Sequence, residues 1–488
     1  MINSSFSALD WGIFALYFLL LVVSSYLLSR GKIDSSRDYF VATMPTFAVA
    51  VSLLATSQSA ATFLGAPEYS YKGDFTFIGF YVSALVAIVF VAYVLVPRFY
   101  ALKAITVYEL LEKRYGSSVK KQAGVMFLIG RIIASGARLY IGALAISMIL
   151  FSDITFAHVM LSAIFSLLGA LAYTYFGGIR SIVFSDVLQA FIYTAAGVGV
   201  ALHLYLSLDG VDIYSVLESQ NKLNFIDTSL SGEFSLLALF SGWLLLNIAA
   251  FGLDQDMMQR VLSCKNTKEA TKSLYISMFL TIAVVMLFLA IGSLLYLHYH
   301  EHTVVQKFET QSITIFMYYI LNEMPDGLKA FVTIGAVATT LSSTNSVLGA
   351  MASVVVEDIY KPYRLKKSAT SEEHFVKISR YSTLVFALLL FIMVCISYYY
   401  QQYSNLSLLS FALGVMAFSY TGLLGIYASA IFTKRGNSTT TLLALVGGFV
   451  TVLALQPYTF GINLAFSYQI VIGSVVAFAI VQLGKSDG

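Results

Sequence analysis

Apolar runs long enough to cross a bilayer recur along this chain, and they constrain its fold more than any other feature. In hydrocarbon every backbone N–H and C=O must be satisfied within the protein, so a spanning segment is a helix or part of a closed barrel. A helix needs about 20 predominantly apolar residues to span. Thirteen segments meet that measure: 9–29, 46–70, 74–97, 122–151, 154–176, 184–208, 234–259, 273–299, 327–356, 378–400, 406–433, 440–457 and 463–484. Charged residues make up 11% of the chain, against about 25% in soluble domains. The sequence therefore predicts an all-α integral membrane protein of about thirteen transmembrane helices, with the lipid bilayer as its permanent partner. Residues 312–323 are too short to span and predict an amphipathic helix on one surface.

Basic residues orient the spans. With the N-terminus outside, 23 of the 29 lysines and arginines fall in inner loops and four outside (Lys72, Lys222, Lys307 and Lys329), while Arg131 and Arg138 lie within the membrane. That bias places the C-terminus in the cytoplasm and predicts a multi-pass protein of the plasma (inner) membrane. A net charge of +3 says little about partners, and no nucleic acid is expected. The two cysteines, Cys264 and Cys395, fall on opposite sides of this topology, which excludes a disulfide between them. A cleavable signal peptide is not expected either, because the first apolar run spans fully and follows an uncharged N-terminus. The loop 209–233 is too short to fold alone.

Residues 46–208 and 234–433 each contain five spans, so the two sets run in opposite orientations. The organisation expected is an extra N-terminal helix and inner loop (1–45), a first repeat (46–208), an outer loop (209–233), a second repeat (234–435) and two C-terminal helices (436–488). Each repeat opens on a polar-interrupted span. In the first, Thr56–Ser57–Gln58–Ser59 interrupts the run, with Thr62 close behind; in the second, Asn247 and then Phe251–Gly252–Leu253–Asp254–Gln255 do so. Such hydroxyls can simply bond back to their own helix. Alternatively the helix unwinds beside a cavity, where free carbonyls can bind a cation, and paired broken helices point to a transporter's binding site.

Three further features bear on chemistry. In the ninth span Thr339, Ser342, Ser343 and Ser346 share one helical face, either as oxygen ligands for a hard cation or as small residues packing helix on helix. Arg131 and Arg138 are seven residues apart and share a face of the fourth span. An intramembrane arginine marks a pathway or an ion pair, so each either forks onto a solute carboxylate or bonds to the bundle. The cluster His298–His302 sits at an outer edge and is expected to be solvated, not metal-binding.

The run from Ser342 through Asp358–Ile359–Tyr360 resembles the sodium:solute symporter family, with its Ser-Ser pair upstream of an Asp-hydrophobic-Tyr helix end. Tyr173–Gln189, with Gly177–Gly178 and Ser185–Asp186, is similar to a second family motif, and Phe251–Arg260 followed by Lys268–Glu269–Ala270 to a third. The resemblance covers about residues 9–435. It implies a leucine-transporter-type five-plus-five inverted repeat with one extra N-terminal and two extra C-terminal helices, and sodium-driven uptake by alternating access. It also implies a sodium site at the carbonyls of Ala55, Gln58 and Thr339 and the hydroxyls of Ser342 and Ser343. A second sodium is implied near Asp186, with Ser342, Asn345 and Ser346, although Asn345 replaces a hydroxyl residue; otherwise Asp186 is a structural carboxylate paired with Arg180.

By the same resemblance Ser57, Ser59, Thr62, Arg131 and Asn247 fall at solute-binding positions, with Tyr81 in place of a glutamine. Ala250 and Thr281 depart from the sugar-transporting members. The expected function is a sodium symporter for a small polar solute, with an organic anion of the sialic acid or monocarboxylate type favoured and a sugar or amino acid the alternative. No convergent acid, base or metal set suggests an enzyme. Proton coupling would favour a buried titratable group where the chain offers neutral hydroxyls. A sensor would be expected to carry a signalling domain after the last span.

Overall fold

The computed structural model describes residues 6–28, 35–230, 232–299, 314–403, 408–462 and 464–485. His300, Glu301, His302, Lys307 and the first two residues of the 312–323 segment lie outside them. The principal helices are α1 (Ala8–Leu28), α2 (Thr46–Ser57), α3 (Ala60–Lys72), α4 (Ile78–Leu102) and α5 (Ser117–Phe151). They continue as α6 (Phe156–Ser207), α7 (Leu236–Leu253), α8 (Gln255–Val261), α9 (Thr267–Tyr299), α10 (Ile315–Asn322) and α11 (Leu328–Leu365). Last come α12 (Glu372–Tyr403), α13 (Leu408–Phe432), α14 (Ser438–Ala454) and α15 (Phe466–Gln482). Among the described residues eight helices are long and apolar enough to cross a membrane, or nine with α2 and α3 counted as one bent span.

The breaks lie where the polar residues interrupt the apolar runs. Helix α2 stops at Ser57, Gln58 and Ser59 are extended, and α3 leaves at 63° to α2. Thr56 and Ser57 do bond back, to the carbonyls of Ser52 and Leu54 (both 2.8 Å), yet the chain still unwinds beyond them. In the second repeat a π-helical turn, Ala249–Leu253, runs into the non-helical Asp254, whose carboxylate caps α8 by accepting from Asp256 N at 2.9 Å.

Helix α6 merges two expected spans. Its 52 residues would extend about 78 Å as a straight rod, more than twice the hydrocarbon thickness. The chain turns at Gly178 (φ 56°, ψ −154°), a backbone conformation open essentially to glycine alone. A Cβ there would also stand 2.5 Å from the Tyr39 carbonyl oxygen.

Around the breaks, α11 packs along α6, α9 covers α2 and α3, and α5 is flanked by α12 and α13. Small residues permit the close approaches: Gly130 of α5 faces Ser419 of α13, and Gly142 faces Thr340 of α11. Helix α10 buries Phe316, Met317, Tyr319 and Ile320, with the Phe316 ring 5.5 Å from that of Phe63. The expected amphipathic segment is thus a cover over α3. Helices α13, α14 and α15 pack on one another, with α13 and α14 also against α5 and α15 against α7.

Candidate functional site

The α2–α3 break, α4, α5, α7 and α13 enclose a cavity of about 60 Å³. Ser57, Ser59, Thr62, Tyr81, Arg131 and Asn247, the sequence-predicted solute residues, all line it. So do residues that sequence reasoning did not select: Asp254, Met416, Tyr420 and the rings of Phe77 and Phe80. Binding sites for drug-sized ligands usually measure 300–1,000 Å³, so this is a contracted cavity. Asn247 donates to the Phe80 carbonyl at 3.1 Å, and Ser57 Oγ lies 3.4 Å from Thr281 Oγ1.

Above the cavity Phe77 stacks edge-on to Tyr81 and Phe234, at 5.5 and 5.1 Å between centroids, and Phe80 meets Trp243 at 5.5 Å. Toward the basic loops, Gln255 holds Val107 N (3.0 Å) and the Ile105 carbonyl (2.9 Å), and Tyr427 donates to the Val107 carbonyl (2.7 Å). Tyr420 donates to Asp254 directly beneath the cavity.

The two arginines on α5 have different surroundings. Arg131 ion-pairs with Asp256, and its Nη1 stands 3.3 Å from Asp254 Oδ2. Arg138 reaches the same cavity with Nη2 3.1 Å from the Met416 sulfur; its buried Nε has no partner and no carboxylate lies within 4 Å among the described residues. The charge of Arg131 is answered by the protein, whereas that of Arg138 is not.

The sodium-site residues predicted from sequence lie on the α2–α3 break and on α11, which packs against both α2 and α3. The Ala55 and Gln58 carbonyls at the break accept no hydrogen bond among the described residues. On the facing α11, Ser342 Oγ donates to Asp186 (2.7 Å), and Ser343 Oγ donates to the carbonyls of Thr339 and Thr340 (3.0 and 3.1 Å). Each hydroxyl keeps oxygen lone pairs with which to ligate a cation. The residues fit a hard monovalent ion.

Around Asp186 the arrangement differs from the expectation of a pair with Arg180, which is exposed. Arg260 of α8 donates Nη2 to Asp186 Oδ2 at 3.0 Å, and Ser52 donates to the same oxygen at 2.5 Å. The Arg260 guanidinium also binds Asp256 Oδ1 (2.9 Å), so Asp186, Arg260, Asp256, Arg131 and Asp254 form one buried chain of alternating charge. Asn345 donates to Ser185 (3.2 Å) and its buried Oδ1 has no partner among the described residues, while Ser346 Oγ points back to the Ser343 carbonyl at 3.4 Å.

Comparison with known proteins places this geometry in context. The model of the sodium:solute symporter family matches residues 39–448. The chain is 29% identical to the sodium/sialic acid symporter NanT of Aliivibrio fischeri, over 97% of this chain and 92% of that protein. It is 28% identical to the human sodium-coupled monocarboxylate transporter 1, over 89% of this chain and 71% of the transporter. A substrate-bound, outward-open structure of a Na+-coupled sialic acid symporter superposes with a TM-score of 0.83 at 24% identity, covering 98% and 97% of the two chains. A closed nucleobase-cation-symport-1 transporter gives a TM-score of 0.54 at 12% identity, covering 93% and 95%. These likenesses give the chain the leucine-transporter-type fold.

Proposed function

Because the chain belongs to the sodium:solute symporter family, and so is a sodium-coupled membrane transporter, we propose that its solute is a small hydroxylated carboxylate carried inward with one sodium ion. The observation that carries the solute class is Arg138: a guanidinium facing the cavity with no carboxylate within 4 Å among the described residues. A buried cation without a directly paired carboxylate is costly, and a solute carboxylate received by its fork removes that cost. Arg131, aligned with solute-binding positions by family resemblance, then acts as a wall of the site whose charge is spent on Asp254 and Asp256. Ser57, Ser59, Thr62, Asn247 and the Tyr81 hydroxyl supply neutral donors and acceptors for the solute's hydroxyls.

The sodium is held by the Ala55, Gln58 and Thr339 carbonyls and the Ser342 and Ser343 hydroxyls. One ion is favoured over two because Arg260 already neutralises Asp186, the carboxylate a second ion would need. Loop charge supports a plasma-membrane location with the N-terminus outside, and the two five-span sets, 46–208 and 234–435, together enclose the site. The test is uptake into proteoliposomes under an inward sodium gradient, comparing a sialic acid and a short 2-hydroxy monocarboxylate with glucose. Carboxylate uptake that Arg138→Gln lowers, with glucose uptake negligible in both proteins, supports the reading. Efficient glucose uptake indifferent to Arg138→Gln contradicts it.

A further inference from the structure

A second pair of cavities lies away from the solute site, on the face where α4 meets α13 and α15. One is a groove of about 420 Å³ with an almost wholly apolar lining that includes Phe90, Leu95, Leu245, Ile248, Phe432 and Val475. The sequence makes this groove in two ways. On α4, Val91–Leu95 is wound as a π-helix, which displaces the helix wall locally. On α13, Ala428 leaves space where a larger residue would fill it, and Gly425 lets α15 approach closely, since a Cβ there would stand 2.5 Å from Ala477 Cβ. The groove opens outward, since Phe432 and Val475 are 67% and 58% exposed. On a membrane-embedded helix that exposure faces hydrocarbon, and an apolar groove there does not hold water.

The second cavity, of about 350 Å³, is lined by Arg98, Lys113 and Arg114 with Ala101, Leu102, Leu110, Ala430 and Ile431. Among the described residues no acidic side chain lines it. The nearby acids are engaged elsewhere: Glu109 accepts from the amides of Ile105 and Thr106 (2.9 and 3.1 Å), and Glu112 pairs with Lys120 (3.0 Å). Arg114 Nη2 is buried and has no hydrogen-bond partner among the described residues. Ile431 forms a wall of both cavities. Leu95, in the groove, precedes Arg98, in the basic cavity, by three residues on the same helix, about 4.5 Å of rise. A concentrated positive charge thus adjoins a hydrocarbon-lined slot at the membrane boundary, on the side that loop charge assigns to the cytoplasm.

We propose that the two cavities form one binding site for an anionic glycerophospholipid of the inner leaflet. Its phosphate is held by Arg98, Lys113 and Arg114, and an acyl chain lies in the groove against Phe90, Leu95 and Phe432. Basic pockets between transmembrane helices on the cytoplasmic side are suited to such headgroups, and the joined groove distinguishes a lipid from free phosphate. The bound chain would touch Leu245 and Ile248, which precede the break of α7 at Asp254.

The test uses the full-length protein in detergent, read by native mass spectrometry and by thermal unfolding. Phosphatidylglycerol, phosphatidylethanolamine of the same acyl chains and inorganic phosphate are each added. Phosphatidylglycerol is expected to remain bound and raise Tm, with phosphatidylethanolamine retained severalfold less and phosphate without effect. Lys113→Gln combined with Arg114→Gln removes two surface charges and should weaken phosphatidylglycerol retention roughly 25-fold, at about fivefold per charge. Ala428→Phe, which fills the groove, should weaken retention of either lipid while the unliganded Tm stays within a few degrees. Equal retention of the two lipids, stabilisation by phosphate alone, or phosphatidylglycerol retention unchanged in both variants would overturn the proposal; the lipid comparison on the unmodified protein stands even where a variant does not fold.

Discussion

Arg131 and Arg138 have the same side chain on the same helix face, and their partners give them different work. Removing Arg131 breaks two of the three ion pairs of the buried Asp254 and Asp256 and leaves Asp254 with none among the described residues, a change that typically costs about 3–5 kcal/mol. Arg131→Gln should therefore lower the unfolding temperature sharply whether or not solute is present. Arg138→Gln should leave stability near that of the unmodified protein and weaken carboxylate binding. A hydrogen bond between charged groups contributes about 1.5–3 kcal/mol, so isothermal titration should register a loss of about 10–150-fold. If Arg131→Gln is the variant that loses binding at unchanged stability, the assignment between the two is reversed. Ser343→Ala removes one oxygen from the proposed sodium shell and should raise the sodium concentration for half-maximal uptake severalfold, with the protein still inserted. Much of this cavity was legible: Ser57, Ser59, Thr62, Tyr81, Arg131 and Asn247 come together as the family resemblance placed them. What was not legible is which charge pairs with which. Asp256 lies 125 residues from Arg131, and Arg260 lies 74 from Asp186, separations at which no periodicity reports contact.

Among the elements, the broken helices were the most readable, because a run of hydroxyls and amides inside an apolar span leaves few other options at membrane depth. The kink of α6 was readable only as a gap between two apolar runs. Its cause, a glycine in a conformation other residues avoid and pressed against the Tyr39 carbonyl, needs the fold. Gly178→Ala should cost about 1–3 kcal/mol from backbone strain alone, and more from the 2.5 Å approach. The expected result is a lower Tm with the sodium requirement of the remaining folded protein unchanged. A fully stable Gly178→Ala protein would mean that the turn is relaxed by a shift of the 35–41 segment. The floor of the cavity was missed altogether: Gln255 clamping residues 105–107 depends on a loop between α4 and α5 whose path no pattern of hydropathy reveals.

At the scale of the whole molecule, the buried charges balance. Three arginines (Arg131, Arg138 and Arg260) face three aspartates (Asp186, Asp254 and Asp256) across the solute and cation sites, so the empty transporter is balanced there. One sodium and one monoanion keep it balanced when loaded. The loaded and empty carriers then cross the membrane with the same charge, and the cycle is electroneutral. A second sodium, or a neutral solute with one sodium, would instead move one net charge per cycle, worth about 2.3 kcal/mol per 100 mV. The decisive measurement is carboxylate accumulation in proteoliposomes under a fixed sodium gradient, with the membrane potential clamped by a potassium ionophore at zero and at about 100 mV, inside negative. The account predicts the same accumulation at both potentials and a Hill coefficient for sodium near one. Accumulation that rises toward roughly 40-fold at the negative potential would contradict it, whether the extra charge comes from a second sodium at Asp186 or from an uncharged solute.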